Sequence, residues 1–398
     1  MRNAQRKIFA VLATTTFAAM SFNADAQTLS LYGRLHVGLD TYEAPGATAS
    51  GGDFKRRARI FDQNSRVGVR GSEDLRGGLR AIMQIESGAN IDSGTNLGQG
   101  GQTNVSAGYF GSRDTFVGLE GGAGRLTLGR QSVWWLNGTI MPVASLYAHA
   151  EVPWFTGQMG RLSMGIIRNS DTVQYTTPTL GGFNITASWS PNAATGGAPF
   201  VNSESQQAGL YTNARVIGIT TRWSGGPFAV QVDYGDKWTA TNAVPGRRPH
   251  NTGWKVLAGW RYAERAQLSA IFIDMTNRDV NATAGFANAG DDLKGRAMGL
   301  FLQHPIGPRA QVLAQVGRLG RVSGCTVTNG CNDTASRSYM IGARYVFSPR
   351  TSMYLTWNAT RNQANQTTDY VSSSITSATP MSAGADPRIL ALGLVHVF

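Results

Sequence analysis

The chain has 398 residues with 49 glycines, and only 15% of its positions carry charge. Soluble globular domains run nearer about 25% charged, so the composition points to many short strands joined by glycine-rich turns. The net charge of +12 is spread along the chain without a compact Lys/Arg cluster, which argues against nucleic-acid binding, and beyond residue 26 no stretch offers the ~18 consecutive apolar residues of a membrane helix.

Residues 1–26 read as a cleavable export signal. Arg2, Arg6 and Lys7 form a basic start, Ile8 to Met20 an apolar core interrupted by threonines, and Ala24-Asp25-Ala26 a small-x-small cleavage pattern. The mature chain is then expected to run from Gln27 as one domain, 27–398. At its start Leu29, Leu31, Gly33, Leu35, Val37 and Leu39 alternate with Ser30, Tyr32, Arg34, His36 and Asp40, an aliphatic face opposite a charged one. Ser65 to Ala89 contains two further strands around a turn at Ser72 to Gly77. Thr115–Leu119 and Arg125–Arg130 form a hairpin turned at Gly121 to Gly124.

From Gln131 to Ile166 the alternation stops. Trp134, Trp135, Trp154, Phe155 and two prolines make this interval too apolar for an ordinary solvated loop. An insertion folded inward onto the wall explains its length and its aromatics; a loop covering a neighbouring subunit is the alternative.

Alternation then resumes in strands near 172–176, 183–189, 210–223, 228–235, 253–262, 266–275, 295–304, 310–319, 338–347, 351–360 and 388–398. With the five strands before the insertion this makes sixteen, the even number of a bacterial transmembrane β-barrel, with polar residues lining the lumen and aliphatic ones facing lipid. Short turns alternate with long polar breaks, marking a periplasmic rim and an external one. The last strand ends at Phe398 and is expected to pair with the first, leaving no open edge. Cys325 and Cys331, the only two cysteines, share one long break after an export signal, so a local disulfide is expected. No metal site is expected, because no further Cys or His sits at ligand spacing nearby.

Five stretches carry a resemblance: Leu31-Tyr32-Gly33, SRVGVRGSEDLRGGLRAIMQIESG at 65–88, FVGLEGGAGRLTLGRQ at 116–131, RNSDTVQYTTPTLGGF at 168–183, and GLVHVF at 393–398. In this order they resemble the Gram-negative general porins of the β-proteobacterial (Burkholderia, Bordetella and Neisseria) branch. The resemblance implies an all-β, 16-stranded antiparallel outer-membrane barrel, usually a homotrimer, whose third external loop folds into the lumen. By position that constriction loop is 131–166. It also implies Phe398 as the assembly signal read by the barrel-assembly machinery, and no cofactor. In the family an acidic cluster on this loop commonly faces basic wall residues; here Glu151 is its only carboxylate and the usual Pro-Glu-Phe-Gly turn is missing.

A water-filled channel for passive diffusion of small hydrophilic solutes and ions follows as the expected function. Anion preference would come from wall cations at Arg34, Arg66, Arg80, Arg130 and Arg168, with His36 beside them. Each could instead snorkel to a rim or pair with Glu86 or Glu120. Two other readings compete. A substrate-specific channel would use the loop aromatics as a binding track. An enzyme would need a nucleophile motif near His36, His149, His250, His304 or His396, and no G-x-S-x-G elbow occurs. Surface arginines such as Arg247 and Arg248 have a further destination in lipopolysaccharide phosphates of the outer leaflet.

Overall fold

The computed structural model describes residues 28–63, 65–89, 91–92, 110–134, 158–159, 161–164, 168–191, 215–238, 249–370 and 381–398. The export segment and most of the 131–166 insertion, with Trp135, Glu151, Trp154 and Phe155, lie outside the described residues, as do Arg247 and Arg248.

In chain order the strands are β1 (Thr28–Ala44), β2 (Phe54–Asp62), β3 (Arg66–Asp74), β4 (Arg80–Gly88), β5 (Thr115–Gly121) and β6 (Gly124–Ser132). A two-residue pair follows, β7 (Gln158–Met159) and β8 (Leu162–Ser163). Next come β9 (Arg168–Thr176), β10 (Phe183–Ser190), β11 (Arg215–Gly225), β12 (Phe228–Trp238) and β13 (His250–Ala263). The chain finishes with β14 (Ala266–Arg278), β15 (Leu293–Pro305), β16 (Ala310–Leu319), β17 (Ser336–Val346), β18 (Thr351–Asn362) and β19 (Arg388–Val397).

Every neighbouring pair in the wall is antiparallel, and β19 returns to β1 with Arg34 opposite Val397 and Glu43 opposite Arg388. Beyond the last strand the Gly33 amide donates to the Phe398 carbonyl at 3.0 Å and the Phe398 amide to the Gly33 carbonyl at 3.1 Å. The Phe398 ring lies directly over Gly33, where any Cβ would collide with it. β2 and β3 are two halves of one wall strand on β1, and β7–β8 stands apart from the ring. Among the described residues the barrel therefore closes with sixteen strands.

Several strands run a few residues beyond the bounds read from sequence, and one boundary differs by more. Alternation in the sequence starts the second wall strand at Ser65, but its ladder starts at Phe54. The basic run Lys55, Arg56, Arg57 and Arg59 disguises the strand as a polar break. Its charges are answered at the long-loop end, where Arg59 Nε donates to Asp40 Oδ1 at 3.1 Å and Arg56 Nε to Glu43 Oε2 at 3.0 Å.

Alternation sets the two faces of the wall. On β19, Leu390, Leu392 and Leu394 are exposed while Ile389, Ala391 and Val395 are buried; on β1, Leu29 is 66% and Leu31 65% exposed while His36, Asp40 and Tyr42 are buried. A leucine face of this extent in water would drive association, whereas against acyl chains it is the solvated surface. Exposed aromatics form two girdles, as interfacial rings do. Phe183, Phe228, Trp260 and Tyr345 lie near the short-turn rim, and Trp189, Trp254, Tyr339 and Trp357 toward the long-loop rim.

At the long-loop rim several connections lock together around the disulfide, which joins Cys325 and Cys331 with their Cα atoms 5.5 Å apart. The Gly330 carbonyl, inside that loop, accepts from Asn365 Nδ2 at 2.7 Å. Asn365 in turn accepts from Arg161 at 2.9 Å through its main-chain and its side-chain oxygen, and Arg161 stacks 5.1 Å over Phe286. Replacing both cysteines by serine should cost about 2–4 kcal/mol at most. The barrel should still form, so heat-modified gel mobility should show a folded band with a lowered melting point; loss of the folded band altogether would contradict a role confined to the rim.

Candidate pore lining

The inward face of the first wall strands gathers basic side chains. Arg34 on β1 stands directly opposite Arg66 on β3, both on the buried side of the alternation. Arg70 lies further along β3, 4.0 Å over the Tyr32 ring and donating to Gln84 Oε1 at 2.9 Å. Arg113 lies just before β5, and Arg130 and Arg168 sit on β6 and β9 where the chain enters and leaves the insertion. Six guanidinium groups, Arg34, Arg66, Arg70, Arg113, Arg130 and Arg168, thus meet two carboxylates, Glu86 and Asp114, among the described residues of this arc.

Those two carboxylates organise the arc. Glu86 on β4 accepts from Arg113 Nε at 2.5 Å and from the Tyr32 hydroxyl at 3.0 Å, with Arg66 Nε at 3.6 Å. Asp114 accepts from Arg168 Nε at 2.7 Å and from the amide and hydroxyl of Ser132, each at 2.9 Å. Arg130 occupies the register shift between Gly129 and Gln131 and donates to the Ser112 carbonyl at 3.0 Å and the Ser170 hydroxyl at 3.1 Å. Burial, then the nearby Arg168 and Arg66, pull the Arg113 pKa down to about 10, which still leaves it charged at neutral pH. With more cations than carboxylates, the arc holds a positive potential.

On the other side of the ring the inner wall carries an apolar patch. Leu257, Ile271, Ile273, Met275, Ala297 and Phe301 are buried inward residues of β13 to β15. Next to them Gly218, Gly235 and Gly253 stand opposite one another on β11, β12 and β13. A Cβ at Gly235 would lie 2.8 Å from Trp134 Cδ1, one at Gly253 3.0 Å from Met164 Sδ, and one at Gly218 would collide with Val133. The glycines thus form a trough in the wall that seats both ends of the insertion.

Polar contacts fix those ends. Lys255 Nζ donates to the Trp134 carbonyl at 2.6 Å, lies 4.5 Å from the centre of its ring, and pairs with Asp233 Oδ2 at 3.2 Å. Asn251 and Asn277 both donate to the Ser163 carbonyl, at 3.1 and 3.0 Å. A buried ion pair persists where its remaining hydrogen-bonding capacity is met, and Thr220 and Gln231 also donate to Asp233.

The residues singled out from sequence divide accordingly. Arg34, Arg66, Arg130 and Arg168 come together in the basic arc. Arg80 shares the inward alternation but sits at the short-turn rim, apart from the arc, where it pairs with Glu120 and is half exposed. His36 points inward yet has no exposure: its ring bonds Arg34 Nη2 at 2.5 Å and the Tyr354 hydroxyl at 2.8 Å, so it braces the wall and does not face the passage. Trp134 is fully buried in the trough. Arg113, Asp114, Arg70 and the Lys255–Asp233 pair were not among the sequence candidates. Arg113 and Asp114 precede their strand and fall outside any alternation, while the inward phase of Gly218, Gly235 and Gly253 was readable once the strands were in register.

The family described as Gram-negative porin matches residues 10–365. An outer membrane porin protein of Bordetella pertussis is 33% identical over 248 residues, 58% of this chain and 60% of that protein, so the match spans less than two thirds of that relative. Among solved structures, the anion-selective porin from Comamonas acidovorans superposes with a TM-score of 0.70 at 21% identity, covering 94% of this chain and 100% of that one. The trimer form of OmpT from Vibrio cholerae superposes with a TM-score of 0.58 at 13% identity, covering 94% and 100%. A closed sixteen-stranded wall, aliphatic outside and charged within, together with a family match over most of its length, makes this chain a member of the Gram-negative porin family, an outer-membrane β-barrel.

Proposed function

We propose that this barrel holds open a water-filled channel through which small hydrophilic solutes and ions diffuse passively, with a preference for anions. The observation that carries this reading is the excess of guanidinium groups over carboxylates on the arc from Arg34 to Arg168. Fixed cations beside a narrow aqueous path lower the energy of anions there and raise that of cations. The anion-selective character of the Comamonas porin agrees with it. Arg80 belongs to the approach from the periplasm, and Glu151 is proposed to face the passage as the one carboxylate of the loop.

The constriction is proposed to be residues 131–166, whose ends dock in the glycine trough and onto the apolar patch of the inner wall. Because Trp134 is buried there, it is not free to serve as a rung of an aromatic binding track, which favours general diffusion over the substrate-specific alternative. Residues 1–26 are proposed to be removed on export, and Phe398 to act in assembly. Along β1 and β3 to β6 the exposed large apolar residues include Leu31, Val67, Val117, Leu119, Leu126 and Leu128, with no aromatic girdle among the described residues. This sector is the proposed contact with two further copies, where no lipid headgroup needs an aromatic anchor.

Planar-bilayer recording of the refolded protein tests the reading. Stepwise conductance is expected, and deletion of residues 135–160 should enlarge each step while the barrel stays folded. Silence, or unchanged steps after deletion, would contradict a pore narrowed by this loop. Glu86→Gln should shift the reversal potential further toward anions and, by leaving buried Arg113 uncompensated, cost about 3–5 kcal/mol. Glu120→Gln at the exposed rim pair should change stability little, so comparing the unfolding of the two variants checks the assignment.

A further inference from the structure

One arginine of the basic arc is held by a histidine. On β1, Arg34 Nη2 lies 2.5 Å from His36 Nδ1, the next inward position of the strand. A guanidinium nitrogen always carries its protons, so Nδ1 must offer a lone pair at this contact. The remaining ring proton is then on Nε2, which donates to the Tyr354 hydroxyl oxygen at 2.8 Å. The pair of contacts thus assigns His36 the neutral form with its proton on Nε2. Tyr354 on β18 is itself fixed, being 2% exposed with its ring over Gly393, where a Cβ would collide with it.

A proton added at Nδ1 removes that lone pair, turns the acceptor into a second donor and sets an imidazolium against a guanidinium. Around the ring, among the described residues, stand Arg34 and Asp40 on its own strand, Phe61 and Asp62 on β2, Arg66 on β3, Tyr354 on β18 and Val395 opposite on β19. Asp40 is held by Arg59 through two of its nitrogens, and Asp62 accepts from the Ser65 amide at 3.0 Å. The histidine backbone is tied on both sides: its amide donates to Ser65 Oγ at 2.9 Å and its carbonyl accepts from the Gln63 amide at 2.8 Å. His36 is wholly buried, whereas Arg34 is only partly so, which makes the arginine the partner that can move. Arg66 stands directly opposite Arg34 across the ladder, and like charges so placed repel. The water of the passage is then the favourable destination for a released guanidinium.

We infer that His36 is the positioning residue for Arg34, and that its protonation releases the guanidinium into the passage, so that the preference for anions rises as the pH falls. The inference rests on the proposed anion-preferring channel. His36 touches no solute; it acts through Arg34. Histidine is the side chain whose ordinary titration falls between about pH 5 and about pH 8, above the ordinary range of carboxylates, so its response is separable from theirs. The other described histidines, His250, His304 and His396, share the outward phase of Trp254, Leu300 and Leu394 and face away from the passage.

The test is the reversal potential of the refolded full chain in planar bilayers across a KCl gradient, taken from about pH 8 to about pH 5. In the parent the chloride-to-potassium permeability ratio should rise on the order of threefold toward acid, the effect of one unit charge brought several ångströms nearer the path in a water-like dielectric. His36→Leu, which offers no acceptor, should show the acid ratio at every pH. His36→Asn restores an acceptor near the Nδ1 position without a titrating group, and should bring the ratio back down and keep it flat. Arg34→Gln should start from a lower ratio and also stay flat, because the response passes through Arg34; this arm does not depend on a histidine variant folding. A parent that favours chloride with no change across the range would overturn the proposal, as would a full acid response surviving in His36→Asn or in Arg34→Gln. A parent that prefers potassium at the alkaline end would overturn it together with the anion-preferring reading, so the two failures are told apart.

Discussion

Hydrocarbon offers no hydrogen bond to a peptide group, and each unsatisfied amide or carbonyl there costs several kcal/mol. A strand-built membrane protein therefore has to be a ring, and everything else in this molecule follows from closing it. Closure brings β19 onto β1 over ten residue pairs and extends through the reciprocal bonds of Phe398 and Gly33. Once the ladder is continuous, the pleat assigns alternate residues to lipid and to lumen, and the two surfaces can be tuned independently.

That independence is what lets a chain this basic sit in a membrane. The inner arc holds its guanidinium groups beside Glu86 and Asp114, and the outer face keeps its cations near the rim above an aliphatic band. Around the ring the inner surface changes character, from the charged arc to the glycine trough and apolar patch of β11 to β15. In the proposed channel a solute meets a fixed positive side, with the docked ends of the insertion opposite it. Arg161 ties the insertion's second end to Asn365 and, through Gly330, to the disulfide loop, so the docking is anchored at the rim as well as on the wall.

Much of this was legible in the sequence because period-2 alternation reports burial directly. The strand count, the inward phase of Arg34 and Arg66, and the disulfide all come from local pattern. What escaped did so for physical reasons. In Phe54–Asp62 a basic run replaces alternation, so its strand character shows only in its pairing with β1. Arg113 and Asp114 act through contacts with residues 27 and 54 positions away in sequence, Glu86 and Arg168, and no local window contains them. His36 has the inward phase of a lining residue, but phase does not say whether Tyr354, far along the chain, will cover it.

In the proposed channel wall arginines give the passage its sign. The reversal potential of the unmodified protein in a planar bilayer across a KCl gradient reads that sign. A potential displaced toward the chloride equilibrium value is expected, reduced in the combined variant Arg34→Gln, Arg66→Gln, Arg130→Gln; a parent channel that reverses toward the potassium value would overturn the assignment of these arginines.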